Sequence, residues 1–209
     1  MTIRQITSRL RSLRRLADDT RGATLVEFAI VLVPLCILLL GGLDLAYQSY
    51  LRSLLQGALN DVARAASVES PTITCGTGTI GARIDCAIQR KVNTVARNAN
   101  YTVTTQNFYQ FSGVGRSEKL TTDHNHNGQY DTGDCWEDLD ADGTFDTSAG
   151  RTGLGGADDV VFYEVTLVSP RIIPISSFLS GGEHYNIVAR AAIRNQPYAR
   201  QAVPATVCA

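Results

Sequence analysis

Oxygen-bearing side chains alternate along Asp123-x-Asn125-x-Asn127-Gly128-x-x-Asp131-x-x-Asp134, and Asp138-x-Asp140-x-Asp142-Gly143-x-x-Asp146 repeats the spacing. Counted from its first aspartate, the first run places oxygen donors at positions 1, 3, 5, 9 and 12, with glycine at 6. The second repeats positions 1, 3, 5, 6 and 9, but its position 12 is Ala149. Hard oxygens at alternate positions of a tight loop suit Ca²⁺, and the glycine permits the turn. The backbone carbonyls of Gln129 and Thr144, at position 7, add to each ligand set. Eight of the chain's twenty acidic residues fall between Asp123 and Asp146, with no lysine or arginine among them. That density repels itself unless solvent screens it or a cation organises it. The expectation is one or two structural Ca²⁺ ions, held at an affinity on the order of 10⁻⁴ to 10⁻³ M. A solvated acidic loop is one alternative, and zinc held through His124, His126 and Cys135 is another.

Neither run is flanked by a strongly periodic apolar helix. Both therefore resemble dockerin-like or thrombospondin-repeat calcium loops more than regulatory EF-hands. The chain has 209 residues and a formal charge of −1, but six arginines against Asp18 and Asp19 sit before Gly22, so the remainder is acidic. Its other basic residues are scattered, and nucleic-acid binding has no support. An enzyme needs a nucleophile–base pair or a catalytic metal with an open position. Ser176-Ser177 lacks the context of a nucleophile elbow, and His184 reads as a surface residue at a strand start. A structural role is expected, not catalysis.

Four cysteines, Cys75, Cys86, Cys135 and Cys208, lie in the outer part of the chain. An even number in an exported domain implies two disulfides in an oxidising compartment. Three pairings are possible. Short loops close most easily, which favours Cys75 with Cys86 and leaves Cys135 to tie the acidic insert to the tail at Cys208.

From Phe28 to Leu43 sixteen residues carry no charge, and with Ala23 to Glu27 the stretch reaches 21. That is enough to cross about 30 Å of hydrocarbon. The basic leader keeps the N-terminus cytoplasmic under the positive-inside rule and sends the rest outward, into the periplasm. A removed secretory signal is the alternative, but the apolar run is long and no small-x-small cleavage site directly follows it. Pro34 removes one helical hydrogen bond, Gly41-Gly42 permits close helix approach, and Cys36 reads as a buried apolar thiol. Glu27 stands apart. A carboxylate inside a membrane helix costs about 3 kcal/mol, so it is rarely there without a task.

Gly22-Ala-Thr-Leu-Val-Glu27-Phe28-Ala-Ile-Val-Leu-Val-Pro34 resembles the N-terminal signature of the TadE/TadG-like family. These are minor pilins or pseudopilins of tight-adherence (Flp-type) pilus systems. Arg194-Asn195-Gln196-Pro197 resembles the Arg-Asn-Glu-Pro tail common in that family, with Gln196 in place of glutamate. Phe28 fits the TadE type, where the major pilin usually has tyrosine. The resemblance implies that a prepilin peptidase cuts after Gly22, leaving Ala23 first and Glu27 fifth in the mature chain. It also implies an inner-membrane protein that meets other pilins and the pilus assembly machinery. In a bundle of such helices Glu27, next to Phe28, pairs with the Ala23 amine of a neighbour, which offsets the burial of either charge. The alternative is a singly anchored periplasmic calcium-binding or adhesive protein that never enters a filament.

The elements that must position these residues follow from periodicity. Leu45, Tyr47, Leu51, Leu54, Leu55, Leu59 and Val62 continue the membrane helix to about Ser67, before Pro71. Ile84, Ala87, Ile88, Val92, Val95 and Ala96 predict a second helix from Ile80 to about Ala99. Residues 101–111, 160–168 and 184–193 read as strands, and 170–179 as a break or short helix. The class is α+β, with a small helix-plus-antiparallel-sheet domain on a long helix. The expected divisions are a leader at 1–22, a span at 23–46, a helical extension at 47–70 and an outer domain at 71–209 with an acidic insert at 121–150.

Overall fold

The computed structural model describes residues 22–173 and 182–208; the leader up to residue 21 and most of the expected break at 170–179 lie outside them. Helix α1 runs unbroken through Pro34 from Ala23 to Ala66, 44 residues, or about 66 Å at its helical rise. Its first half is bare: Leu25, Phe28, Val33 and Leu38 are each more than half exposed. Its second half buries one stripe, Leu51, Leu55, Ala58, Leu59, Val62 and Ala66, at three- and four-residue steps. Leu45, expected on that stripe, is 65% exposed, because the stripe's phase puts Asp44 inward at this level. The helix ends at Ala66, where the Ser67 hydroxyl donates to the Arg64 carbonyl at 2.9 Å.

Helix α2 (Ile80–Val92) starts at Thr79, whose hydroxyl oxygen accepts from the Ala82 N–H at 3.3 Å. Ile84, Ala87, Ile88 and Val92 face the core. It stops short of the expected Ala99. The Thr94 hydroxyl donates to the Lys91 carbonyl at 2.9 Å, and the Val92 carbonyl takes both the Val95 and Ala96 N–H groups. Such local bonds give the backbone an alternative to the helix, and the end winds as turns.

Seven strands follow among the described residues: β1 (Asn100–Phe108), β2 (Leu120–Thr122), β3 (Cys135–Asp138), β4 (Arg151–Thr152), β5 (Val160–Pro170), β6 (His184–Arg194) and β7 (Ala205–Cys208). One antiparallel sheet has the order β4-β1-β5-β6, and the other β2-β3-β7. On β5, Val161, Tyr163, Val165 and Leu167 point into the core, with Tyr185, Ile187 and Ala189 of β6 beside them. Burying each large side chain contributes about 1.5–3 kcal/mol. Strand β1 ends at Phe108, not Phe111, because the chain turns into a 3-10 turn at Phe111–Gly113.

The second sheet was not expected. Its strands are three or four residues long and carry Glu137 and Asp138, too short and too polar for alternation to declare them. It brackets the acidic insert: β2 ends at Thr122, the first acidic run fills 123–134, and β3 begins at Cys135.

Cys75 is bonded to Cys86, and Cys135 to Cys208, its direct partner across β3 and β7. The zinc alternative fails because the Cys135 sulfur is already taken. Closing 73 residues removes more unfolded-chain entropy than closing 11. Replacing Cys135 and Cys208 by serine should cost about 4 kcal/mol, against about 3 for Cys75 and Cys86. Denaturant unfolding of the detergent-solubilised protein measures both, and equal losses would remove the loop-length account.

Candidate functional site

The two acidic runs form the same turn twice. In each, the aspartate at position 1 accepts from the N–H of position 6: Asp123 from Gly128 at 2.7 Å and Asp138 from Gly143 at 3.0 Å. Position 3 accepts from position 5, Asn125 from Asn127 at 3.1 Å and Asp140 from Asp142 at 3.3 Å. Position 5 accepts from position 7, Asn127 from Gln129 and Asp142 from Thr144, both at 2.7 Å. Positions 4 and 6 are left-handed in both turns, with φ 56° at His126, 62° at Ala141, 75° at Gly128 and 77° at Gly143. Glycine adopts that region without strain, which is why it holds position 6.

Position 12 separates the two runs. In the first, Asp134 is 1% exposed, and its oxygens accept from the N–H groups of position 2 (His124, 3.0 Å) and position 9 (Asp131, 2.9 Å). In the second, Ala149 offers no oxygen, and Glu118 makes the equivalent pair of bonds. Its carboxylate accepts from Leu139, position 2, at 2.8 Å and from Asp146, position 9, at 3.0 Å. Glu118 lies ahead of the run in sequence, with β2 and the first acidic run between them, and the Asp146 carbonyl takes its N–H at 2.9 Å. No spacing rule finds it; only the missing carboxylate at Ala149 signals that something else must stand there.

Carboxylate oxygens of Glu118, Asp138 and Asp140 lie within 4.8 Å of one another, as do those of Asp140, Asp142 and Asp146. Burial pushes the Glu118 carboxyl up, and the Leu139 and Asp146 N–H groups pull only part of that back. Burial and the Asp142 charge also raise Asp140. The Thr144 hydroxyl lowers Asp142, and the Gly128 N–H lowers Asp123. The second Asp123 oxygen is buried without a hydrogen-bond partner. Crowded anions with a free lone pair are suited to a hard cation.

Both turns rest on one aromatic base. Tyr130 and Phe145, at position 8 of their runs, stack with centroids 4.5 Å apart and planes 6° apart. Each meets the fully buried Trp136 of β3 edge-on, at 5.2 and 6.1 Å. Stacked and edge-to-face pairs of this kind add about 0.5–1.5 kcal/mol beyond the area they bury.

At the other end of the molecule Glu27 is exposed near the start of α1, one turn beyond Ala23, with Phe28 62% exposed beside it. The bare apolar half of α1 is the one stretch among the described residues long and apolar enough to cross a membrane. A family model for TadE-like proteins matches residues 22–64. This segment is a TadE-like domain. The family comprises pilus-associated structural proteins and not enzymes. No curated protein and no solved structure matches the chain.

The TadE-like helix is tied to the outer domain at three levels. Near the bare half, the Asp44 carboxylate (5% exposed) takes the Arg171 guanidinium and the Tyr185 hydroxyl. Arg171 lies 4.8 Å over the Tyr185 ring, and burial, with the Asp44 charge, pushes the tyrosine hydroxyl up to about 12. Midway, Gln56 donates to the Arg190 carbonyl at 3.0 Å. At the far end, the Gln196 N–H donates to the Ser67 carbonyl at 2.8 Å.

The tail motif makes that last tie. The Asn195 amide donates to the Leu154 and Gly156 carbonyls, both at 2.8 Å, and its own N–H donates to Asp159. Gln196 works through its main chain while its side chain is exposed. The contact between residue 196 and Ser67 therefore does not depend on whether the side chain is glutamine or glutamate.

Proposed function

We propose that this chain is a minor pilin or pseudopilin of a tight-adherence pilus, processed by a prepilin peptidase after Gly22. The observation that carries it is the division of α1. The TadE-like match covers residues 22–64, yet the outer domain packs only from Asp44 onward. Residues 24–43 are left as a bare apolar rod with one carboxylate, Glu27, near its tip. Such a rod sits in the inner membrane before assembly and among neighbouring pilin helices afterwards, with the outer domain periplasmic or on the pilus. In the bundle, the Glu27 carboxylate pairs with the Ala23 amine of a neighbour. The bulky outer domain would crowd a closely packed shaft, which favours a minor position.

Mass spectrometry of purified pili tests this. The mature N-terminus should be Ala23, and the subunit should be far scarcer than the major pilin. Glu27→Ala should be cleaved in the membrane yet missing from sheared pili. A retained leader, or normal incorporation of Glu27→Ala, would sink the reading. A retained leader would instead favour a singly anchored periplasmic calcium-binding or adhesive protein, the second reading that the paired acidic turns support.

We also propose that the acidic turns bind Ca²⁺. The first site draws on Asp123, Asn125, Asn127, the Gln129 carbonyl, Asp131 and Asp134. The second draws on Asp138, Asp140, Asp142, the Thr144 carbonyl and Asp146, with Glu118 in the role of position 12.

A further inference from the structure

A pocket of about 250 Å³ opens where four segments meet: the end of α1, the start of α2, the loop before β5 and the tail after β6. Pro71, Ile80, Leu154 and Tyr198 give it apolar and aromatic walls, and Arg83 and Glu69 are the charged side chains that line it. The tail motif supports one side. Asn195 lines the pocket, and its amide holds the loop there by donating to the Leu154 and Gly156 carbonyls, both at 2.8 Å.

Arg83 has no counterpart in this arrangement. It stands in the first turn of α2, where the helix end already carries partial positive charge and no acidic residue offsets it. Its Nε is buried without a hydrogen-bond partner, and among the described residues nothing accepts from its other side-chain N–H groups. Arg52, Arg97 and Arg116 also lack side-chain hydrogen bonds, but they are exposed and water serves them; Arg83 is half-buried. A guanidinium cannot shed its charge, so a desolvated one calls for an anion. Glu69 lines the same pocket, is exposed, and forms no ion pair with Arg83.

The Glu69 charge still decides which anion fits. One positive and one negative side chain leave the pocket near neutral, which disfavours a phosphate group, at about −1.5 to −2 charges, against a single carboxylate. A planar carboxylate also matches the guanidinium fork, two N–H groups to two oxygens. The volume is below the roughly 300–1,000 Å³ of pockets that enclose drug-sized ligands, so the body behind the carboxylate is small.

We infer that this pocket binds a small monocarboxylate, with its carboxylate on the Arg83 guanidinium and an apolar or aromatic body against Ile80, Leu154 and Tyr198. The site lies at the end of α1 away from the bare apolar half, so the ligand reaches it from solvent. A free acid and the C-terminus of another protein chain share this chemistry.

The full chain in lipid nanodiscs is titrated with 4-fluorobenzoate and followed by ligand-detected ¹⁹F NMR, with empty nanodiscs as the baseline. The protein should bind it with a Kd on the order of 1 mM, and 4-fluorobenzamide and phenyl phosphate at least about tenfold more weakly. Arg83→Gln and Arg83→Lys should each weaken fluorobenzoate about tenfold, the second because a point charge replaces the fork. Both variants should melt with the parent, since Arg83 has no partner to lose, and Arg97→Gln should bind as the parent does. Competition by a short peptide ending in phenylalanine, as acid but not as amide, would support the site with a chain terminus as its ligand. Exclusion of both peptides beside bound fluorobenzoate would support it with a free acid. Equal binding by the parent and Arg83→Gln, or of benzoate and benzamide alike, would overturn the inference, as would a preference for phenyl phosphate. Binding seen only in Glu69→Gln would also overturn it, because Glu69 would then be the anion that Arg83 holds.

Discussion

Asp44→Ala should destabilise the outer domain by about 3 kcal/mol, more than any exposed charge in the chain. The carboxylate is nearly buried, and its loss strands two partners. The Arg171 guanidinium, 21% exposed, keeps its charge without a counterion, and the Tyr185 hydroxyl, pushed up to about 12, loses its acceptor. Breaking a buried pair by removing one member costs more than the pair contributes, because the remaining charge stays desolvated. Asp44→Ala combined with Arg171→Met should therefore recover much of the loss. A double-mutant cycle from denaturant unfolding in detergent reads the coupling directly. Additive losses would mean that Asp44, Arg171 and Tyr185 do not act as one unit. The exposed pair Lys91–Asp61, at 2.6 Å, is the contrast: its removal should change stability by less than about 1 kcal/mol.

Asp44 also marks where the sequence stops being readable. The apolar run, the stripe of Leu51, Leu55 and Leu59, and strands β1, β5 and β6 announce themselves because each repeats a period over nine residues or more. Asp44 breaks that pattern and reads as the first polar residue after a membrane span. Its burial depends on Arg171 and Tyr185, more than a hundred residues away. Glu118 is hidden for the same reason. The ligand spacing of the acidic runs is local and legible, but the carboxylate that completes the second turn arrives through strand pairing. The small sheet β2-β3-β7 is held by one disulfide and by Trp136 under Tyr130 and Phe145, and three-residue strands carry no periodic signal. What depended on short-range repetition was visible; of what depended on topology, the Cys135–Cys208 bond was reached only because Cys75 and Cys86 claim each other, and Asp44 and Glu118 were not reached at all.

Calcium should raise the melting temperature of the protein, and Glu118 should carry about half of the rise. Each site stabilises the folded state by mass action, and at twenty times its dissociation constant it adds about 1.8 kcal/mol. Two sites together should lift the midpoint by several degrees, on the order of 2–4 °C per kcal/mol for a chain of this size. The affinity expected for extracellular modules places saturation near a few millimolar, on the order of 10⁻³ M. Asp123→Ala with Asp138→Ala should abolish the rise. Glu118→Gln should remove the second site alone and Asp134→Asn the first, because these two side chains make matching pairs of bonds to positions 2 and 9 of their turns. Titration calorimetry should count two ions in the parent and one in each single variant. A full two-ion response in Glu118→Gln would show that the second turn does not need this carboxylate. If calcium and EDTA give the same melting curve and the same protease sensitivity between 123 and 146, neither turn is a calcium site.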